Sequence, residues 1–242
     1  MAPAPYQKFA ELYDAVMSQD QFYSSYYSFV VELAEKFRLK PKRILEIGCG
    51  TGKLSELFLK HGCSVEGLDL SEPMLTIAKK RGVKVHYGGM AGFKLNRKFD
   101  VILSIFDSIN YLQKKLELEK CFGAVFQHLA AGGLFIFDLN SAFKINTAIP
   151  KLFKKEAHYR FGDTELLWRN SHEPDTWIVD IGIKQDGKTF HERHVEKAYK
   201  IEDVRKLLKE SGFAVAGVYS DFDFSAVRKN SWKWFFVCRK RR

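Results

Sequence analysis

Ile44-Leu45-Glu46-Ile47-Gly48-Cys49-Gly50-Thr51-Gly52-Lys53-Leu54 is an apolar run that ends in an acid and three alternating glycines, then opens a helical pattern. A strand that turns tightly through glycines into a helix leaves backbone N–H groups pointing at whatever sits at the helix N-terminus, a backbone cradle for a ligand. A second apolar run, Ser64-Val65-Glu66-Gly67-Leu68-Asp69, ends in a carboxylate placed to accept hydrogen bonds from two ribose hydroxyls. Cradle and acid together describe a nucleoside cofactor site.

The glycine spacing narrows the nucleoside. The dinucleotide fingerprint G-x-G-x-x-G needs a third glycine where this chain has Lys53. The phosphate loop of nucleotide hydrolases needs glycine at position 47 and serine or threonine at 54, where the chain has Ile47 and Leu54.

Working outward, strand-like runs at 43–47, 64–69, 83–87, 100–105 and 133–138 alternate with helical stretches near 53–61, 72–81 and 112–130. That rhythm predicts a parallel α/β sheet covered on both faces, with ligands at the carboxyl ends of the strands. The first forty residues carry aromatics at helical spacing, from Tyr6, Phe9 and Tyr13 to Tyr26, Tyr27 and Phe29. After Asn140, three alternating segments at 157–169, 176–185 and 189–199, with turn signals at 173–175 and 186–187, predict a three-stranded antiparallel insertion. A helix at 201–211 and strands at 213–220 and 232–238 close the chain.

The remaining pattern, E-x-G-x-G-x-G with a downstream acid, resembles the S-adenosylmethionine (SAM) site of the class I methyltransferases. Phe99 to Tyr111 resembles that family's fourth motif and Leu129 to Asp138 its fifth strand. The entry Phe9-Ala10-Glu11-Leu12-Tyr13-Asp14 is similar to the N-terminal cap of small-molecule N-methyltransferases, amino-sugar enzymes among them. The resemblance implies a seven-stranded, mostly parallel, doubly wound sheet whose last strand is antiparallel. It divides the chain into an N-terminal helical lid (1–40), a SAM-binding core (41–140), an antiparallel β insertion on the acceptor side (141–199), and a C-terminal helix and strand pair that complete the core (200–242).

Carried onto this sequence, the resemblance implies that Gly48, Cys49 and Gly50 bring backbone against the methionine part of SAM and that Glu46 orients the loop. It gives Asp69 the ribose hydroxyls, Leu70 and Met74 the faces of the adenine, and Gly89 and Met90 the adenine edge. Many relatives have an aspartate at that edge, so adenine recognition falls to backbone groups here. Phe106, Ser108 and Tyr13 are expected near the methionine moiety, and Tyr26, Tyr27 and Tyr111 near the acceptor. Tyr13, Asp107 and Asn110 are the polar candidates for catalysis; Asp107 has a competing reading as a helix cap, Asn110 and Tyr111 as turn and packing residues.

The implied function is methyl transfer from SAM to a small-molecule acceptor, at nitrogen in the closest resemblance, releasing S-adenosylhomocysteine. Two alternatives stand beside it: an RNA or protein methyltransferase, and a non-catalytic SAM-binding protein. The balance of 39 Lys and Arg against 29 Asp and Glu, net +10, leaves a nucleic-acid partner open. It is disfavoured, since the basic residues fall in short scattered clusters without a nucleic-acid module. Cys49, Cys63, Cys121 and Cys238 form no C-x-x-C pair, and His191 and His194 would point to opposite faces of a strand, so no metal is expected. No apolar segment reaches membrane-spanning length and the N-terminus lacks a leader pattern, which predicts a cytoplasmic protein, a monomer or homodimer, with no membrane partner.

Overall fold

The computed structural model describes residues 5–17 and 20–241. Its centre is a seven-stranded sheet in the order β10-β11-β5-β4-β1-β2-β3. The strands are β1 (Arg43–Ile47), β2 (Ser64–Asp69), β3 (Lys84–Tyr87), β4 (Phe99–Ser104), β5 (Leu129–Asn140), β10 (Ala214–Tyr219) and β11 (Lys233–Arg239). β1 pairs in parallel with β2 on one side and β4 on the other, and β11 runs antiparallel to both its neighbours. The chain therefore winds outward in two directions from β1. A crevice must open at the carboxyl ends of β1 and β4, and this is where doubly wound sheets bind ligands.

The helices are α1 (Ala10–Val16), α2 (Asp20–Lys36), α3 (Lys53–Lys60), α4 (Glu72–Lys80), α5 (Lys115–His128), a short α6 (Ile149–Leu152) and α7 (Ile201–Glu210). The central strands read as almost unbroken apolar runs because both faces are covered. On one face Leu45, Ile102, Phe135 and Phe137 pack with Leu118, Phe122 and Val125 of α5 and Leu207 and Leu208 of α7. On the other, Ile44, Val101, Leu103 and Ile136 pack with Phe29, Val30 and Leu33 of α2 and Leu54 and Phe58 of α3.

The insertion is a four-stranded antiparallel sheet rather than the expected three. Its strands are β6 (Glu156–Phe161), β7 (Thr164–Glu173), β8 (Thr176–Gln185) and β9 (Lys188–Lys197), in sequential order. The predicted run 157–169 folds back on itself, with Phe161 opposite Thr164. β6 is an edge strand with no fully buried residue, so it lacks the apolar alternation that would mark it as a separate strand. β8 has that alternation in full: Trp177, Val179, Ile181 and Ile183 are buried and pack on Phe9, Ile145 and Ile149. The N-terminal segment is thus clamped between the insertion and the crevice. Residues 1–4 and 18–19 of the expected lid lie outside the described residues.

Candidate active site

The loop from β1 into α3 is held open by geometry that only glycine tolerates at two points. Gly48 has φ +70°, and a Cβ there would sit 2.7 Å from Ser108 Oγ. Gly52 has φ +77°, and its Cβ would sit 2.9 Å from Ala78 Cβ on α4. The first glycine lets the loop pass the turn after β4, and the second lets α3 start against α4.

Three acids organise this loop and its strap. Asp69, at the end of β2, accepts from Gly50 N–H at 2.9 Å and from Ser71 N–H at 2.9 Å, one bond on each oxygen. Burial raises the Asp69 carboxyl above its ordinary value despite these donors. Glu46 accepts from Ser55 Oγ at 2.5 Å, and burial pushes it up to about 7. Asp14 on α1 accepts from Thr51 Oγ at 2.7 Å and pairs with Arg81 at 2.6 Å. Ser71 Oγ, which caps α4, also donates to Tyr6 O at 2.5 Å. The N-terminal segment is therefore strapped to the glycine loop at Asp14 and to α4 at Tyr6.

Beneath that strap lies a cavity of about 460 Å³. It is lined by Glu46, Gly48, Cys49, Gly50, Asp69, Leu70, Met74, Gly89 and Met90, and by Tyr6, Tyr13, Tyr23, Phe106, Ser108 and Tyr111. Backbone cradle, carboxylate and apolar faces thus converge on one concavity, the size of a small-molecule site.

A family model described as a methyltransferase domain matches residues 44–133, the stretch that carries the cradle and the sheet's central strands. Over 97% of this chain and 99% of its relative, the sequence is 32% identical to a methyltransferase of Geobacillus sp. (strain WCH70). A crystal structure of a SAM-dependent methyltransferase from Clostridium acetobutylicum superposes with a TM-score of 0.83 at 30% identity, covering 97% of this chain and 98% of that one. The chain belongs to the SAM-dependent methyltransferases. A third relative, the dTDP-3-amino-3,4,6-trideoxy-alpha-D-glucopyranose N,N-dimethyltransferase of Streptomyces venezuelae, is 33% identical over 132 residues, 53% of this chain and 56% of that one. The cavity suits the family's cofactor on its own evidence: the backbone of Gly48 and Gly50 borders it ahead of α3, and Asp69 borders it with lone pairs left on both oxygens.

This methyltransferase brings Tyr13, Glu46, Gly48, Cys49, Gly50, Asp69, Leu70, Met74, Gly89, Met90, Phe106, Ser108 and Tyr111 to the cavity and keeps four other sequence-expected residues away from it. Asp107 is engaged elsewhere: it pairs with Lys233 and accepts from Asn140 Nδ2 at 2.8 Å. Burial alone would raise its carboxyl, but Lys233, Lys144 and Asn140 outweigh it and lower it to about 2. Its side chain makes no cap bond either, because its own backbone is left-handed at φ 60°. Asn110 is fully buried, donating to Asn140 O and Lys197 O while accepting from Asn140 N–H. It is a clamp between β5 and the insertion, and neither it nor Asp107 borders the cavity. Tyr26 donates to Asp138 at 2.6 Å inside the sheet, and Tyr27 packs on Phe58 and His61. One helical turn separates Tyr23, which does border the cavity, from these two.

Sequence reasoning missed Tyr6 and Tyr23 as cavity residues. Both belong to the N-terminal aromatic stripe, and only the strap decides which of its rings turn inward. Among the described residues no group of His, Cys, Asp and Glu is placed to hold a metal, and no helix is long and apolar enough to cross a membrane.

Proposed function

We propose that this methyltransferase acts on a small molecule and methylates a nitrogen, an amino sugar or a related amine. The carrying observation is the charge of the cavity against the charge of the chain. With net +10 overall, the cavity wall has three carboxyl groups, Glu46, Asp69 and Glu117, and among its described residues one basic side chain, Lys53. That excess of carboxyls favours an amine over a polyanion, with Asp69 and Glu117 carrying it and Glu46, raised to about 7, adding to it above neutral pH. The N-terminal strap, tied down at Asp14 and Tyr6, adds a steric argument, since it narrows the cavity toward small acceptors. The match to the Streptomyces venezuelae amino-sugar enzyme supports the same reading.

Bound SAM supplies an electrophilic methyl group on a sulfonium. In this reading Gly48 and Gly50 receive its methionine part, with Glu46 behind them; Asp69 receives the ribose, and Leu70, Met74, Gly89 and Met90 surround the adenine. Tyr13, Phe106 and Ser108 border the methionine end, and Tyr6, Tyr23 and Tyr111 meet the acceptor. The aromatic wall excludes water and holds the acceptor in line with the methyl. Positioning of this kind can supply about 7–11 kcal/mol of a barrier at best. Residues 1–40 then act as the lid, 41–140 with 200–242 as the cofactor-binding core, and 141–199 as support for the acceptor side.

Incubation with methyl-labelled SAM and fractionated cell extract, with dTDP-linked amino sugars as defined acceptors, tests the proposal. Label is expected in the low-mass amine fraction. Label in RNA or protein, or SAM binding without transfer to any fraction, overturns it.

A further inference from the structure

We propose that Tyr111, backed by His194 and Glu192, is a proton relay that takes a proton from the methyl acceptor. The inference rests on the acceptor reading above, because it needs a nucleophile that carries a proton. Tyr111 stands on the 3-10 turn Ser108–Tyr111 and borders the cavity. Its Oη lies 2.6 Å from Tyr6 Oη and 3.1 Å from His194 Nδ1. His194, on β9, is buried behind Tyr111 and does not reach the cavity itself. Its Nε2 lies 3.5 Å from Glu192 Oε2 and makes no hydrogen bond among the described residues.

A histidine kept only for packing in such a dry place has both nitrogens satisfied as a rule. Here one nitrogen meets a phenol on the cavity wall, and the other faces the Glu192 carboxylate at 3.5 Å. Glu192 is itself fixed, accepting from Tyr6 N–H at 2.7 Å and Phe9 N–H at 2.8 Å. Burial, followed by the Glu196 carboxyl, raises Tyr111, so the phenol keeps its proton at neutral pH. Tyr111 can therefore accept a proton only while giving its own away. The groups facing His194 are Tyr6 from the N-terminal segment, Tyr111 from the turn after β4, and Glu192 from its own strand; Glu196 and Asp107 act on Tyr111 from behind.

A protonated acceptor nitrogen gives one proton to Tyr111 Oη while the Tyr111 proton passes to His194 Nδ1, and the lone pair so freed takes the methyl. The acceptor loses one proton, His194 becomes the imidazolium beside Glu192, and Tyr111 ends as it began. Tyr111 is the catalytic residue of the relay, and His194 and Glu192 are positioning residues acting through it. The three come from the core and the insertion, and Tyr6 joins them from the strap.

Two measurements test the relay. In the full chain labelled with 15N-histidine and saturated with S-adenosylhomocysteine, long-range 1H–15N NMR at pH 7 should show His194 neutral, with its proton on Nε2, and Tyr111→Phe should move the Nδ1 resonance. A His194 that holds Nδ1–H or is already cationic has no lone pair for the Tyr111 proton and overturns the proposal. With a dTDP-linked amino sugar as the probe acceptor, His194→Gln should lower kcat about a hundredfold at pH 7, the low end of general-base effects. KM and S-adenosylhomocysteine affinity should stay within threefold, and the loss should shrink as pH rises and the amine deprotonates unaided. A loss that is constant with pH, or confined to KM, marks a packing role and overturns the relay. If the unsubstituted enzyme does not methylate this acceptor, the acceptor reading fails separately and the NMR result still decides the relay.

Discussion

Asp69 has two duties in one carboxylate: it ties down the N–H groups of Gly50 and Ser71 and also borders the cavity. Replacing it by alanine removes both supports for the loop and the charged acceptor proposed for the ribose. A hydrogen bond to a charged group is worth about 1.5–3 kcal/mol, so Asp69→Ala should weaken S-adenosylhomocysteine binding roughly ten- to hundredfold by calorimetry. An unchanged affinity in a folded variant removes the ribose assignment. Asp69, Gly48 and Gly50 were legible in sequence because their placement is local: each sits within a few residues of the strand end that positions it. Asp107 and Asn110 were not legible in the same way. Their partners are distant in the chain, Lys233 for Asp107 and Asn140 and Lys197 for Asn110, and no local pattern shows that a polar residue is already taken. Tyr26 is the same case, its hydroxyl consumed by Asp138.

At the scale of elements, strands buried on both faces announce themselves as apolar runs, and β1, β2, β4 and β5 fall where those runs predict. The turn between β6 and β7 escaped because an exposed edge strand carries no such contrast, and Gly162-Asp163 is its one local mark. The strap is likewise a tertiary fact, since the docking of α1 is set by Asp14, Ser71 and Glu192 rather than by its helical pattern. Its ion pair is partly exposed, so its contribution is discounted to about 1 kcal/mol or less. Asp14→Ala removes the bonds to Thr51 and Arg81 together. Hydrogen exchange in α1 should quicken, and S-adenosylhomocysteine affinity should fall about three- to tenfold. In the intact chain, residues 6–17 and 20–29 should gain protection when S-adenosylhomocysteine is added. Equal exchange with and without it leaves the segment as packing and removes the lid.

Across the whole molecule, the charges that are buried are mainly carboxyls, although the chain as a whole is basic. Glu46, Asp69, Asp107, Asp138, Glu192 and Glu196 all surround the crevice or the network behind it, and Lys233 joins Asp107 to Asp138. This arrangement makes stability depend on pH from both sides. Asp107, lowered to about 2, contributes stability that is complete above the ordinary carboxyl value and is lost as pH falls from about 4 toward 2. Glu46 and Glu196 work in the opposite sense. Burial raises Glu46 to about 7 and, with Asp107 adding to it, Glu196 to about 8. Between the ordinary value near 4.5 and those raised values the folded chain holds protons that the unfolded chain has released. By linkage, stability must fall as pH rises through that window. Glu196→Gln preserves an oxygen to accept from Asn140 Nδ2 and has no proton to lose. One pKa unit is about 1.4 kcal/mol, and for a chain of this size each kcal/mol moves Tm by roughly 2–4 °C. Calorimetric Tm values should therefore decline from pH 5 to pH 8.5 in the unsubstituted protein and decline less in Glu196→Gln, with the two curves separating by several degrees at the alkaline end. Parallel curves would mean that Glu196 is ionised throughout, held by Lys144 and Lys233 as an ion pair rather than kept neutral by burial.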